Sequence, residues 1–296
     1  MRPWRVLAIL AGLLSTAIAV ANPIAYTVTS DSNGADQAHL YQIDLATGAA
    51  TDIGNTGFAG IEGLSFDSSG TLFGIDDFTR SLVTIDLGTG AASLVNGTLG
   101  NTGLPVASYD WGLSFACNGT LFATDDLAGS TYSLDPATGV ATLLTSGQPQ
   151  ITGLAARYDG LYSIGSNGDE NLYRVDPTSG VATLIGPLGA GLNFNDGGLA
   201  ADASGGLWGI SDETQPAVGP GIFDPSIVFT VNALTGAATI VNTTSLIGAE
   251  SLAINAPGAC SAVGMGIPGV PTLDSIGSLV LFVLLAGLGI VSLRKR

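Results

Sequence analysis

One short segment occurs five times in this chain, reading apolar-x-apolar-Asp-x-x-Thr-Gly-x-Ala-Thr. Its copies centre on Asp44 and Gly48, Asp86 and Gly90, Asp135 and Gly139, Asp176 and Gly180, and Asn232 and Gly236. Successive glycines lie 42, 49, 41 and 56 residues apart. Self-similarity at a period of roughly 40–50 residues belongs to propellers and related arrays. Two further motifs keep the same period. A Gly-Leu pair stands at Gly63-Leu64, Gly112-Leu113, Gly153-Leu154 and Gly198-Leu199, with Ser251-Leu252 as its fifth form. An apolar-aromatic pair stands at Leu72-Phe73, Leu121-Phe122, Leu161-Tyr162 and Leu207-Trp208, with Ala25-Tyr26 near the N-terminus.

The segments between turns are short, alternate with period two and are bounded by Gly, Asp and Ser, which reads as strands. Each unit offers four: A (Gly-Leu), B (apolar-aromatic), C (before Asp-x-x-Thr-Gly) and D (after it). In the C–D turn the Asp accepts backbone N–H bonds and the Gly supplies positive φ. The first B strand precedes every other strand and the last A strand follows them all, so pairing the two closes a ring and hides both edges. The expected fold is all-β: a single five-bladed propeller of four-stranded blades over residues 22–256. A six-blade ring lacks its sixth unit, and an open two-sheet solenoid is the other alternative. The column Tyr26, Phe73, Phe122, Tyr162 and Trp208 is expected to pack between blades rather than to form a carbohydrate-stacking platform.

Charge narrows the function. The 296 residues include 24 acids and 8 bases, only 11% are charged, and 46% are apolar. Residues 22–270 hold 23 acids against three bases (Arg80, Arg157, Arg174), a net charge of −20. Such a body repels nucleic acid and does not dock electrostatically on anionic lipid. The apolar content excludes a disordered acidic tail.

Sorting these acids by turn divides them. Seven (Asp44, Asp67, Asp86, Asp135, Asp159, Asp176, Asp202) fall in A–B or C–D turns, Asp52 falls on a D strand, and fifteen fall in B–C or D–A loops. The second face also has the long loops, where binding residues concentrate. Among its acids Glu62, Asp110, Asp196 and Glu250 precede A strands, nearest the axis, and Asp77, Asp126 and Asp212 end B strands. Converging carboxylates raise one another's pKa unless a cation intervenes, and calcium prefers such oxygen ligands. These seven are the candidate calcium ligands; the alternative is a solvated rim that keeps the protein soluble.

Catalytic sets are sparse. The lone histidine, His39, lies ahead of a C strand, outside the expected pore, and no internal lysine exists. The remaining enzymatic reading is a cation-dependent hydrolase, lactonase or glycosidase using Asp110, Asp196 and Glu250, with Glu62 nearby and Trp111 as an orienting group. Paired carboxylates are what glycosidases need, and propeller lactonases similar to gluconolactonase use a carboxylate-held cation. Cys117 and Cys260 are candidates for a disulfide in an exported chain.

The ends carry an address. Arg2 and Arg5, the apolar run Val6–Leu14 and Ala19-Val20-Ala21 read as a signal peptide over residues 1–21. A Gly/Pro/Ala-rich linker is expected over 257–269. An uncharged span, Ile276–Leu293, follows, then Arg294-Lys295-Arg296; its length is about the minimum for crossing a bilayer, with the basic end cytoplasmic. Val270-Pro271-Thr272-Leu273, then Gly277, the span and the basic tail resemble the IPTL-CTERM sorting signal, a relative of PEP-CTERM tails. Ile276 stands where that pattern has Trp, and Val270 where it has Ile. The resemblance covers residues 270–296 and implies an exosortase-type sorting protease as partner, with membrane insertion before processing. The combined expectation is an exported bacterial protein, anchored in the inner membrane by its tail or processed to the surface or the medium. It binds glycan, matrix or protein through its acidic face without catalysis.

Overall fold

The computed structural model describes residues 22–29, 38–105, 110–166, 168–212 and 225–261. The expected signal peptide with Ala19 and Ala21, and the expected sorting motif with its apolar span, lie outside the described residues. Among those described, no helix is long and apolar enough to cross a membrane.

Among the described residues, twenty strands form five four-stranded antiparallel sheets. Strands β1 (Ile24–Val28), β2 (His39–Asp44) and β3 (Ala50–Asn55) open the chain. Four complete blades follow. The first is β4 (Ile61–Phe66), β5 (Leu72–Asp76), β6 (Ser81–Ile85) and β7 (Ala92–Leu94). The second is β8 (Trp111–Phe115), β9 (Leu121–Asp125), β10 (Thr131–Leu134) and β11 (Ala141–Thr145). The third is β12 (Ile151–Arg157), β13 (Gly160–Gly165), β14 (Asn171–Val175) and β15 (Ala182–Pro187). The fourth is β16 (Gly197–Ala201), β17 (Leu207–Ser211), β18 (Ile227–Val231) and β19 (Ala238–Thr243). Strand β20 (Ala253–Ile254) returns to pair with β1, completing the fifth sheet in the order β20-β1-β2-β3. This is the expected five-bladed ring, closed by one strand from the far end of the chain. Every strand needed for closure lies within 22–261, so this stretch is self-contained.

Packing at the axis explains the Gly-Leu motif. A Cβ on Gly112 would lie 1.6 Å from Thr152 O, on Gly153 2.7 Å from Gly197 O, and on Gly198 2.3 Å from Leu252 N. Gly63 meets Leu113 Cβ at 2.7 Å. At these positions the requirement is space, not unusual φ. The fifth position tolerates Ser251, whose Oγ accepts the Val28 amide at 3.1 Å.

The repeated C–D turn does two jobs. In the β2–β3 turn Asp44 Oδ1 accepts the amides of Ala46 and Thr47, and Gly48 takes φ +72°. The Ala that follows the Gly also ties its blade to the preceding one. Ala92 N donates to Thr56 O, Ala141 N to Thr102 O, Ala182 N to Gln148 Oε1 and Ala238 N to Leu188 O. The aromatic column packs between blades: Phe73, Phe122 and Tyr162 are buried, and Tyr26 and Trp208 half-buried.

Cys117 and Cys260 form a disulfide. The 3-10 turn Pro257–Cys260 is held as well by the Tyr158 amide, which donates to Ala259 O at 2.8 Å. The start of the expected linker therefore belongs to the propeller; composition alone could not show that Ala259 is buried. Gly112→Ala is expected to destabilise the protein by about 3 kcal/mol or more, on the scale of overpacking. Gly119→Ala, at φ +85° with open space around it, should cost about 1 kcal/mol. Urea unfolding of both variants checks the ranking.

Candidate functional site

Close approach of the inner strands β4, β8, β12, β16 and β20 brings the residues that lead into them onto the axis. Four of these are acids. Glu62 lies inside β4, Asp110 and Asp196 immediately precede β8 and β16, and Glu250 lies three residues before β20. One carboxylate oxygen from each of Glu62, Asp110 and Glu250 lies within 4.8 Å of the others. Glu62 and Glu250 also border an axial void of about 10 Å³, near the size of one water-probe site.

The other candidates extend this group unevenly. Asp196 is buried and its carboxyl stands beside that of Asp110, close enough to be raised by it. Asp126 donates its amide to Asp110 O at 3.3 Å, and its carboxyl lies near enough to that of Asp110 to be raised by it. Asp212 accepts the Asp196 amide on Oδ1 at 3.2 Å and returns its own amide to Asp196 O at 2.9 Å. Asp77 is set against Gly60, donating its amide to Gly60 O, and is not in the three-carboxylate group. Asp77, Asp126 and Asp212 stand one residue past the ends of β5, β9 and β17, not on them.

Burial and mutual repulsion set the protonation here. Desolvation, then the charge of Asp110, pushes Asp126 up to about 7. Asp196 is raised well above the usual carboxylate range by burial first, then by the adjoining Asp110 carboxyl and by repulsion from Glu250 and Asp212. The turn acids behave oppositely: amides such as Ala137 N on Asp135 and Ser179 N on Asp176 hold those carboxyls low.

Other residues serve the framework. Trp111 borders the same axial void, but its ring is buried between blades, 6.0 Å from that of Tyr132, so packing takes the place of the orienting role expected of it. His39 Nδ1 sits 3.0 Å from both Asp52 oxygens across the β2–β3 pair. Arg157 pairs through two bonds with Asp159 in the β12–β13 turn, and Arg174 donates to Asp159 O. Two acids counted among the loop carboxylates are structural. Buried Asp76 accepts the Gly60 and Thr79 amides, and buried Asp125 accepts the Ala128 amide, so each fixes a B–C loop. Alternation could have hinted at this, since both end B strands.

The face opposite the acids also carries a cavity, of about 570 Å³. It was not legible in the sequence, because the residues that face the axis there, Ser65, Ser114, Ala155, Ala200 and Ala253, are small and carry no motif.

No family model and no curated protein matches the chain. Many solved structures are similar to it, among them the following three. One is a structural-genomics protein of unknown function from Bacteroides thetaiotaomicron, at 19% identity and TM-score 0.45, over 57% of this chain and 50% of that one. Another is a gluconolactonase from Xanthomonas campestris, at 15% identity and TM-score 0.47, over 78% of this chain and 80% of that one. The third belongs to a nidogen/laminin complex, at 16% identity and TM-score 0.49, over 78% of this chain and 81% of that one. The chain spans half the length of the first of these. None of the three lends an activity or a ligand to this protein.

A raised carboxyl favours the folded state while protonated. Its contribution is full below the unfolded pKa of about 3.9 and is lost as pH rises through about 7 for Asp126. Asp126→Asn cannot ionise. In metal-free buffer its melting temperature should gain on the wild type between pH 5 and pH 8, by about 2–4 °C for each 1 kcal/mol. Parallel melting curves across that range would refute the assignment.

Proposed function

We propose that the chain is an exported binding module whose acidic loop face is organised by a hard divalent cation, calcium by preference. The cation would rest on Glu62, Asp110 and Glu250. The observation that carries this reading is the approach of these three carboxylates within 4.8 Å at the axis. Calcium takes oxygen ligands at roughly 2.3–2.6 Å, a spacing that oxygens so placed can meet with little rearrangement. Asp196 and Asp126 border the site through Asp110, and neutralising the group by a cation would let them ionise. A cation held this way presents open coordination positions to hydroxyl or carboxylate groups of a glycan, matrix component or protein.

A second reading, a cation-dependent hydrolase or lactonase, is favoured by one observation. Buried Asp196 stands beside Asp110 and is held well above the usual carboxylate range by burial first and then by that neighbour, and a carboxyl kept protonated next to a second carboxyl is what acid–base work uses. Activity on a glycan and lactone panel that is lost in Asp110→Asn would replace the binding-only reading with this one.

For the address, we propose export through the signal at residues 1–21 and sorting through the IPTL-CTERM-like tail, with an exosortase-type protease as partner. Intact-mass measurement of the exported protein should find Asn22 at the N-terminus and the tail removed. An intact Arg296 would refute processing.

Calcium in excess should raise the melting temperature by about 5–10 °C, since a ligand at 100 times its Kd adds about 2.7 kcal/mol and each 1 kcal/mol shifts a domain of this size by about 2–4 °C. Glu62→Gln, Asp110→Asn and Glu250→Gln should each abolish the rise while melting no lower than wild type without calcium. A rise that survives all three, or no rise in wild type, overturns the site.

A further inference from the structure

We propose that the end of the axial channel opposite the acids is a second binding site, for an uncharged apolar compound of one or two fused rings bearing a hydrogen-bond acceptor. The cavity there measures about 570 Å³, within the roughly 300–1,000 Å³ of small-molecule sites.

Its space follows from side-chain size. One step of alternation beyond the glycine ring, on the same face of the inner strands, stand Ser65, Ser114, Ala155, Ala200 and Ala253. Strand twist spreads the inner strands beyond the ring, and none of these side chains is large enough to refill the gap. The glycines leave only about 10 Å³ at the axis, so the cavity is blind rather than a passage. One wall is the C-terminal turn, with Ala256, Ala259 and Cys260. That wall is fixed by the disulfide to Cys117 and by the Tyr158–Ala259 backbone bond. The site is therefore preformed, and a ligand does not have to order it.

The lining selects against charge. Its one ionisable side chain outside the disulfide is Asp67, whose Oδ1 already accepts the Ser69 and Thr71 amides and the Ser69 hydroxyl. Arg157 and Arg174 line the adjoining groove, and both are engaged by Asp159. An anion would in addition meet the repulsion of a body of charge −20. Asn118 and Asn255 add neutral amides to the lining, and within the ring of small residues itself the hydroxyls stand on one side. Ser65 Oγ accepts the Phe115 amide at 2.9 Å, which leaves its own proton to donate, and Ser114 stands beside it in the ring. Across the cavity Ala155, Ala200 and Ala253 offer only methyl groups. A ligand with a carbonyl or ether oxygen at one edge and hydrocarbon elsewhere matches both walls, and its apolar area supplies the driving force.

The test uses residues 22–261, which contain the whole closed ring, and the probe Prodan, a neutral naphthalene ketone whose emission shifts to the blue when it leaves water. Wild type should give a saturable blue shift with one-to-one stoichiometry, unaffected by EDTA. Ala155→Leu and Ala200→Leu, checked for folding by their melting curves, should each weaken binding at least tenfold by filling the cavity. Two variants are used so that one that fails to fold leaves the other informative. Ser65→Ala should weaken it severalfold. Absence of a saturable shift in wild type, or unchanged affinity in the folded alanine-to-leucine variants, overturns the site. Loss of binding with EDTA alone would place the probe at the acidic end instead and overturn it equally.

Discussion

The contact between inner strands is the constraint on which the rest of the structure depends. Five sheets arranged radially meet at an axis with room for backbone but not for Cβ atoms, and Thr152 O stands where a Gly112 side chain would begin. Four glycines and one serine satisfy that demand, and each leucine that follows them lies buried at an inter-blade surface. The ring is narrow because these residues are small. Its narrowness in turn decides what lies at each end.

At one end, residues entering the inner strands arrive close to each other whatever their chemistry. Here the sequence supplies Glu62, Asp110, Asp196 and Glu250, so the fold itself imposes electrostatic repulsion at that end. The protein accommodates it by burial, which favours protonated Asp196 and Asp126 over their ions. A fold that needed only soluble acids would leave them on the outer rim, where Asp44 and Asp135 sit, the first held low by the Asn22 side chain and then by turn amides, the second by turn amides. Concentrating acids at the axis costs stability without a cation, and that cost is the physical ground for reading the cluster as a site.

The architecture was legible because the repeats report backbone requirements: Gly48 and its counterparts mark turns of positive φ, and Gly112 and its counterparts mark a crowded axis. The phase of the strands even showed how the ring closes. Side-chain direction was less legible. Trp111 next to Asp110 looked like part of a site, yet successive residues of a strand face opposite ways, and its ring joins the core. Asp76 and Asp125 looked like surface acids, whereas their position at the ends of B strands turns them inward to cap loops. The opposite cavity gave no signal because alanine and serine on an inner strand are equally compatible with close packing. Only the spread of the strands shows that nothing else fills the space.

The two ends of the channel are also separated mechanically. Closure rests on a short pairing, Ala25 with Ile254 and Tyr26 with Ala253, assisted by the Thr29–Ala249 bridge and the Ser251–Val28 bond. Two ladder positions form a weak seam for a ring of twenty strands. Cys260 lies beyond the seam, joined covalently to Cys117 in the β8–β9 turn and backed by the Tyr158–Ala259 bond. A load entering the chain at residue 261 therefore meets the disulfide first and passes into the second blade, bypassing β20. The linkage spans 143 residues in sequence, but the folded ring has already brought its ends together. Its main effect is thus to hold the unfolded chain compact and to protect the seam from whatever is attached beyond it. The same bridge forms a wall of the apolar cavity, so the element that secures the ring also keeps that cavity in shape.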